Sequence, residues 1–224
     1  MNAAASGGGG RLACPVCEQA ETEPFAQIGA REYWRCAVCE ARFLDPAARL
    51  DAQSEYAHYL SHENEVSDPG YRRFLSKLAD PMLAVLPAGS EGLDYGCGPG
   101  PALAVMMAER GHSVAYYDPF FAPDTGALLR QYDFVLCSEV IEHFRDPTTE
   151  FRRLWGLVRP GGWLGVMTCF QTDDARFATW HYVKDPTHVV FYREATLRWL
   201  ARAAGWSCHI PCKDVALMQK PTPT

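Results

Sequence analysis

The stretch that most limits the fold is Leu93-Asp94-Tyr95-Gly96-Cys97-Gly98-Pro99-Gly100, an apolar run ending in glycines at alternate positions and followed by Pro101. Alternating glycines let a chain turn sharply and pass close to a ligand with no Cβ atoms in the way. Proline suits the first turn of a helix, where its missing N–H is no loss. The segment therefore predicts a strand, a tight loop and a helix, the opening unit of a sheet covered by helices. A tight turn without a ligand is the plain alternative.

The pattern downstream agrees. Short apolar runs at 92–95, 113–117, 132–137 and 163–168 alternate with helical patterns at 101–110, 147–158 and 194–204. That alternation predicts an α/β, Rossmann-like doubly wound sheet. Gly111, Gly161-Gly162 and Gly205 follow the helical stretches, where a left-handed cap favours glycine. Residues 206–210 and 214–219, split by Pro211, read as a closing antiparallel pair. Between Asp118 and Tyr132 lie only 13 residues, whereas a single crossover between parallel strands takes a dozen or more. A helix, a strand and a second helix cannot fit there, so the third strand is expected to be missing, leaving six.

Ahead of this region, Cys14-Pro15-Val16-Cys17 and Cys36-Ala37-Val38-Cys39 stand 18 residues apart, within the spacing of paired zinc knuckles. Two thiolates from each knuckle complete a tetrahedron with no open position, so Cys14, Cys17, Cys36 and Cys39 are expected to hold a structural zinc ion. A redox dithiol is the alternative. The chain thus divides into a disordered tail (1–10), a small N-terminal zinc ribbon (11–46), a helical connector or lid (47–88) interrupted at Pro81, and the sheet domain (89–220). Cys97, Cys137, Cys169, Cys208 and Cys212 follow no pattern and read as buried thiols.

Charge narrows the partners. Lys and Arg number 21 against 27 Asp and Glu, a net charge of −6, and residues 11–46 hold four basic against six acidic side chains. That balance argues against a nucleic-acid partner, which calls for a basic face that displaces phosphate counterions. No eighteen uncharged apolar residues run together and the first ten show no leader pattern; a cytoplasmic protein with reduced thiols and no membrane partner is expected. Oligomeric state leaves no mark in the sequence.

With these residues in hand, the chain resembles the class I S-adenosylmethionine-dependent methyltransferase superfamily over about 90–220. The resemblance rests on the glycine loop, on Tyr132-Asp133-Phe134-Val135-Leu136-Cys137-Ser138-Glu139-Val140-Ile141-Glu142-His143, on Leu157-Val158-Arg159-Pro160-Gly161-Gly162-Trp163-Leu164, and on Asp185-Pro186-Thr187-His188-Val189-Val190-Phe191-Tyr192. A dinucleotide fold is set apart by Pro101, which stands where that fingerprint wants Gly or Ala. The resemblance implies S-adenosylmethionine as cofactor, with Gly96, Gly98 and Gly100 around its methionyl part, Asp94 nearby, Asp118 on the ribose, and Glu139 facing cofactor or acceptor. Asp118 could instead cap a turn before Pro119, and Glu139 could be an ordinary helix acid. In the family's usual order the missing strand lies at the sheet edge, and its loop touches adenine; Phe120 and Phe121 are candidates to replace that surface.

Methyl transfer is an in-line displacement in which alignment does much of the catalysis. His143 and His188 fall near the carboxyl-end crevice and are the candidate catalytic bases, with His181 a weaker third. Residues 169–192 are expected to form a substrate wall, and Tyr71, Arg72 and Arg73 could reach the cofactor carboxylate. His58, His62 and Glu63 read as a solvated helix face. The expectation is methyl transfer to a small-molecule acceptor, oxygen preferred. An RNA methyltransferase guided by the ribbon and a non-catalytic cofactor-binding module are the alternatives.

Overall fold

The computed structural model describes residues 12–60 and 65–223. The tail expected at 1–10, and His62 and Glu63, lie outside the described residues. Three strands come first, β1 (Thr22–Ile28), β2 (Arg31–Cys36) and β3 (Arg42–Leu44), paired antiparallel in that order. Helix α1 (Ala52–Tyr59) starts at Asp51, whose carboxylate accepts the Ser54 amide at 2.8 Å. This satisfies one of the amides that a helix start leaves unbonded.

Helix α2 (Pro69–Leu83) starts the same way at Asp68, with Pro69 in its first turn. It also runs straight through Pro81 and is not interrupted there. Pro81 cannot donate to the carbonyl of Lys77. The thiol of Cys212 turns to that carbonyl instead, at 3.8 Å.

The second half forms β4 (Glu91–Tyr95), α3 (Ala102–Ala108), β5 (Ser113–Tyr117), β6 (Tyr132–Ser138), α4 (Pro147–Leu157), β7 (Val158–Met167), β8 (Val190–Phe191), α5 (Glu194–Ala203), β9 (Ser207–Cys212) and β10 (Val215–Gln219). Six of these strands make one sheet in the order β5-β4-β6-β7-β10-β9. The first four are parallel, and β10 runs antiparallel to both its neighbours. Along β6 alternate residues serve opposite faces. Phe134 and Leu136 pack with Leu75, Leu78 and Met82 of α2 and Met107 of α3, while Val135 and Cys137 face Phe151 and Leu154 of α4 and Leu197 of α5.

The third strand is absent, as the short gap requires. Residues 119–131 hold a single bridge between Asp118 and Ala122 and one 3₁₀ turn at Thr125–Leu129, leaving β5 as the sheet edge. Gly161 and Gly162 are not a helix cap: α4 ends at Leu157 and β7 begins at once, so both glycines lie inside the strand. A Cβ on Gly162 would come within 2.6 Å of the Asp133 carbonyl, which explains glycine there.

The sequence pattern did not foretell the join between the two sheets. β8 pairs with β3, placing Arg42 opposite Phe191 and Phe43 opposite Val190, so the cysteine unit gains its fourth strand from the far end of the chain. Arg42, Phe43 and Leu44 are all buried as a result.

Candidate active site

A cavity of about 690 Å³ opens where β4, β5 and β6 end, lined by Tyr95, Tyr117 and Ser138 from the strand ends. Carboxyl ends of parallel strands are where open α/β sheets bind ligands. Gly96, Cys97, Gly98 and Pro99 form one wall. The loop is held against the sheet by the amides of Gly96 and Cys97, which donate to the Tyr117 carbonyl at 2.7 and 3.2 Å. Gly96 has φ +79°, and a Cβ there would meet Val140 at 2.4 Å, so no other residue fits the turn.

The other predicted loop residues divide into lining and support. Asp118 lines the cavity, but its carboxylate already accepts the amides of Gly98 (3.0 Å), Phe120 (2.8 Å) and Phe121 (3.0 Å). It caps its own turn and ties that turn to the glycine loop. Asp94 sits behind the loop, 3% exposed, and burial pushes its carboxyl up to about 7. Gly100 lies past Pro99 on an outer depression shared with Arg72 and Glu109 rather than on the cavity.

Aromatic rings cover the opposite side. Tyr56 and Tyr59 of α1 approach Phe120 with ring centroids 5.4 and 5.3 Å apart, and Tyr59 meets His143 edge-on at 5.4 Å. Tyr71 lines the cavity from α2, as do Phe120 and Phe121 from the turn after β5. Arg72 pairs with Glu109 and Arg73 is exposed, so neither lines it. His58 lies 3.2 Å from the Asp185 carboxylate, which fastens α1 to the segment carrying His188.

His143 and His188 do come together, with ring centroids 4.7 Å apart on the cavity wall. Nδ1 of His143 lies 3.2 Å from the Thr187 carbonyl and Nδ1 of His188 lies 2.8 Å from the Tyr182 carbonyl. A carbonyl only accepts, so each Nδ1 carries hydrogen, and Nε2 is the nitrogen that bears the lone pair in the neutral ring. Burial holds His143 below the usual imidazole range. His181 is exposed and does not line the cavity.

Glu139 ends β6 in a left-handed conformation, φ +54°, and its side chain enters the cavity. Burial, and then the neighbouring Glu142, push its carboxyl up to about 9. Glu142, 0% exposed, accepts hydrogen bonds from the hydroxyls of Thr168 (3.0 Å) and Tyr182. Tyr182 also lies 3.1 Å from Glu139.

Residues 169–192 are a different structure from the expected substrate wall. From this stretch only Asp185 and His188 line the cavity. Phe177 packs instead against Phe25 and Tyr33, at 5.0 and 5.2 Å, and Asp174 takes a forked pair from buried Arg42. Glu142, Thr168, Tyr182 and Asp185 were given no role from sequence. The adjacency of Glu142 to His143 and the spacing of Asp185 to His188 were the available signals.

The four cysteines form a separate cluster. All are buried, with Cys14 and Cys39 sulfurs 3.6 Å apart and Cys17 and Cys36 sulfurs 3.5 Å apart. Those separations are far beyond a disulfide bond. They match the roughly 3.8 Å edge of a tetrahedron built on Zn–S bonds of about 2.3 Å. Each knuckle ends in a left-handed glutamate, Glu18 at φ +61° and Glu40 at φ +59°, so the two turns share one shape. The donor set fits a zinc ion.

Known proteins share this architecture. A structure of the 1,6-didemethyltoxoflavin-N1-methyltransferase of Burkholderia thailandensis, with S-adenosylhomocysteine bound, covers 89% of this chain and 99% of its own, with TM-score 0.51 and 19% identity. An O-methyltransferase family protein from the same organism covers 84% and 66%, with TM-score 0.51 and 16% identity. The ubiquinone biosynthesis O-methyltransferase of Pseudomonas aeruginosa is 34% identical in a match covering 36% of this chain and 45% of that protein. The matched region thus spans less than half the length of that relative. A family model described as a methyltransferase domain matches residues 56–209. That range takes in the glycine loop, every residue lining the cavity except Glu55, and both histidines, and it exceeds half of the chain; the chain belongs to the methyltransferase domain family.

Proposed function

We propose that this protein transfers a methyl group from S-adenosylmethionine to a small-molecule acceptor, with oxygen as the preferred nucleophile. The observation that carries the reading is the cavity itself, with a glycine loop on one wall and two imidazole lone pairs on the other. Its size suits one cofactor and a compact acceptor. Relatives whose names specify O-methylation favour oxygen.

The cofactor, when bound, supplies an electrophilic methyl on a sulfonium. The chain's own residues bind, orient and exclude water. Gly96 and Gly98 keep the loop free of side chains for close approach, with Asp94 supporting it from behind and Gly100 completing the turn into α3. Asp118 has lone pairs left for a ribose diol, and Phe120 and Phe121 stand in for the lost third-strand loop. Glu139 bounds the methionyl and acceptor sides. His143 and His188 hold and activate the acceptor hydroxyl through Nε2.

Cys14, Cys17, Cys36 and Cys39 are assigned a structural zinc ion, and residues 11–46 the role of a ribbon that supports the 89–220 domain through β8. Nine free cysteines suit a cytoplasmic setting. No helix among the described residues is long and apolar enough to cross a membrane.

Calorimetry tests the cofactor: S-adenosylmethionine should bind and NAD should not, and the reverse result would sink the reading. His143→Ala with His188→Ala should lower turnover about a hundredfold or more while cofactor affinity stays within a few fold. Unchanged turnover in that double variant removes the histidines from the chemistry.

A further inference from the structure

We propose that Glu142, His143 and His188 form a second metal site, which takes one divalent transition-metal cation on the acceptor side of the cavity. One ligand atom from each residue lies within 4.8 Å of the others. The site is distinct from the four-cysteine cluster in donors and in exposure, since His143 and His188 face the cavity.

The protonation pattern is that of ligands. Each imidazole gives its Nδ1 hydrogen to a backbone carbonyl, which fixes the ring and leaves Nε2 as a donor atom. Glu142 completes the set. It is fully buried, and among the described residues no lysine or arginine pairs with it. The one side chain near it that can carry positive charge, among the described residues, is His143, with Nε2 at 3.9 Å from Oε1, too far for a hydrogen bond. A buried carboxylate without a counter-charge is costly, and a cation between these atoms supplies one.

The surroundings complete the argument. The hydroxyls of Thr168 and Tyr182 orient the Glu142 carboxylate, as outer groups do around filled metal sites. Asp185 stands 3.8 Å from Nε2 of His188, adding negative charge to the same corner. Two imidazoles and one carboxylate suit zinc, cobalt, nickel or iron rather than magnesium or calcium.

Three protein ligands leave coordination positions open, and here the opening faces the cavity. Resting on the proposed methyl-acceptor reading, this assigns the acceptor a chemical class: a compound that ligates a metal through the oxygen to be methylated. With the ion in place, His143 and His188 act on the hydroxyl through it rather than as direct bases: the ion would lower that hydroxyl's pKa, with its proton released to solvent, and then the O–CH3 bond forms as the S–CH3 bond breaks.

The test uses the full chain loaded with Co²⁺, desalted, and assayed for metal by mass spectrometry. Wild type should retain two ions per chain, and His143→Ala with His188→Ala should retain one. The thiolate-to-cobalt charge-transfer band should persist in the variant, which also shows that it has folded, while the weaker nitrogen and oxygen d–d bands vanish. Glu142→Gln should weaken the second ion's binding by about tenfold or more. One ion in wild type, or two in the double variant, overturns the proposal. S-adenosylmethionine affinity, measured separately, distinguishes this failure from failure of the methyltransferase reading.

Discussion

Gly96 and Gly111 both have a left-handed backbone, with φ of +79° and +88°, but differ in what surrounds them. A Cβ on Gly96 meets Val140 at 2.4 Å, whereas one on Gly111 meets nothing within 4 Å. Gly111→Ala should therefore cost about 1 kcal/mol of stability and leave cofactor affinity unchanged. Gly96→Ala adds a steric clash and should cost roughly 3 kcal/mol while weakening cofactor binding. Urea titration and calorimetry on the two variants check the contrast. Asp94 gives a pH signature. Its folded pKa of about 7 lies above the ordinary carboxylate value, so its contribution to stability is full at low pH and is lost as pH rises towards 7. Asp94→Asn should flatten the melting temperature between pH 4 and 7, as scanning calorimetry can show. At this scale the sequence was most informative where backbone geometry demands a residue type, as in the glycine loop. Glu142 and Tyr182 carry no such mark, because their meaning lies in burial and in each other, 40 residues apart in sequence.

Among the elements, the pairing of β3 with β8 does most to position the site. The strand that closes the cysteine unit lies two residues past His188, and the Val189 amide donates to the Glu142 carbonyl at 2.8 Å. Loss of the zinc proposed at the cysteines should therefore disturb the cavity as well as the strands around the cysteines: in Cys14→Ser with Cys17→Ser, which leaves His143 and His188 unchanged, turnover should fall while near-ultraviolet circular dichroism from the buried aromatic cluster weakens in step. Retained turnover in that variant would contradict the coupling. The parallel strands and their helices were legible because each carries its own apolar period. β8 was not, since two residues in a loop have no period and gain strand character only from the partner they meet.

At the level of the whole molecule, net charge and shape limit the partners. A net charge of −6, with four basic against six acidic side chains in residues 11–46, supplies no excess of cations to meet RNA phosphates. Filter binding to RNA should be weak and should lack the steep fall with salt that phosphate contacts produce. The missing third strand could be inferred because chain length bounds what can fit between Asp118 and Tyr132. The acceptor was not legible, because the cavity is assembled from α1, α2, three strand ends and the segment around His188, and no single stretch of sequence describes it.

The shared strand also affects how the chain is made. Residues 14–44 leave the ribosome well before residues 190 and 191, and until the latter emerge their sheet lacks its fourth strand. In that interval the edge of β3 is an unpaired template, and unpaired strand edges expose a nascent chain to mispairing with others. Early metal capture by the cysteines would fix the knuckles but leave that edge open. Expression yield should therefore depend on how fast the stretch between β3 and β8 is translated, more than on the supply of metal alone.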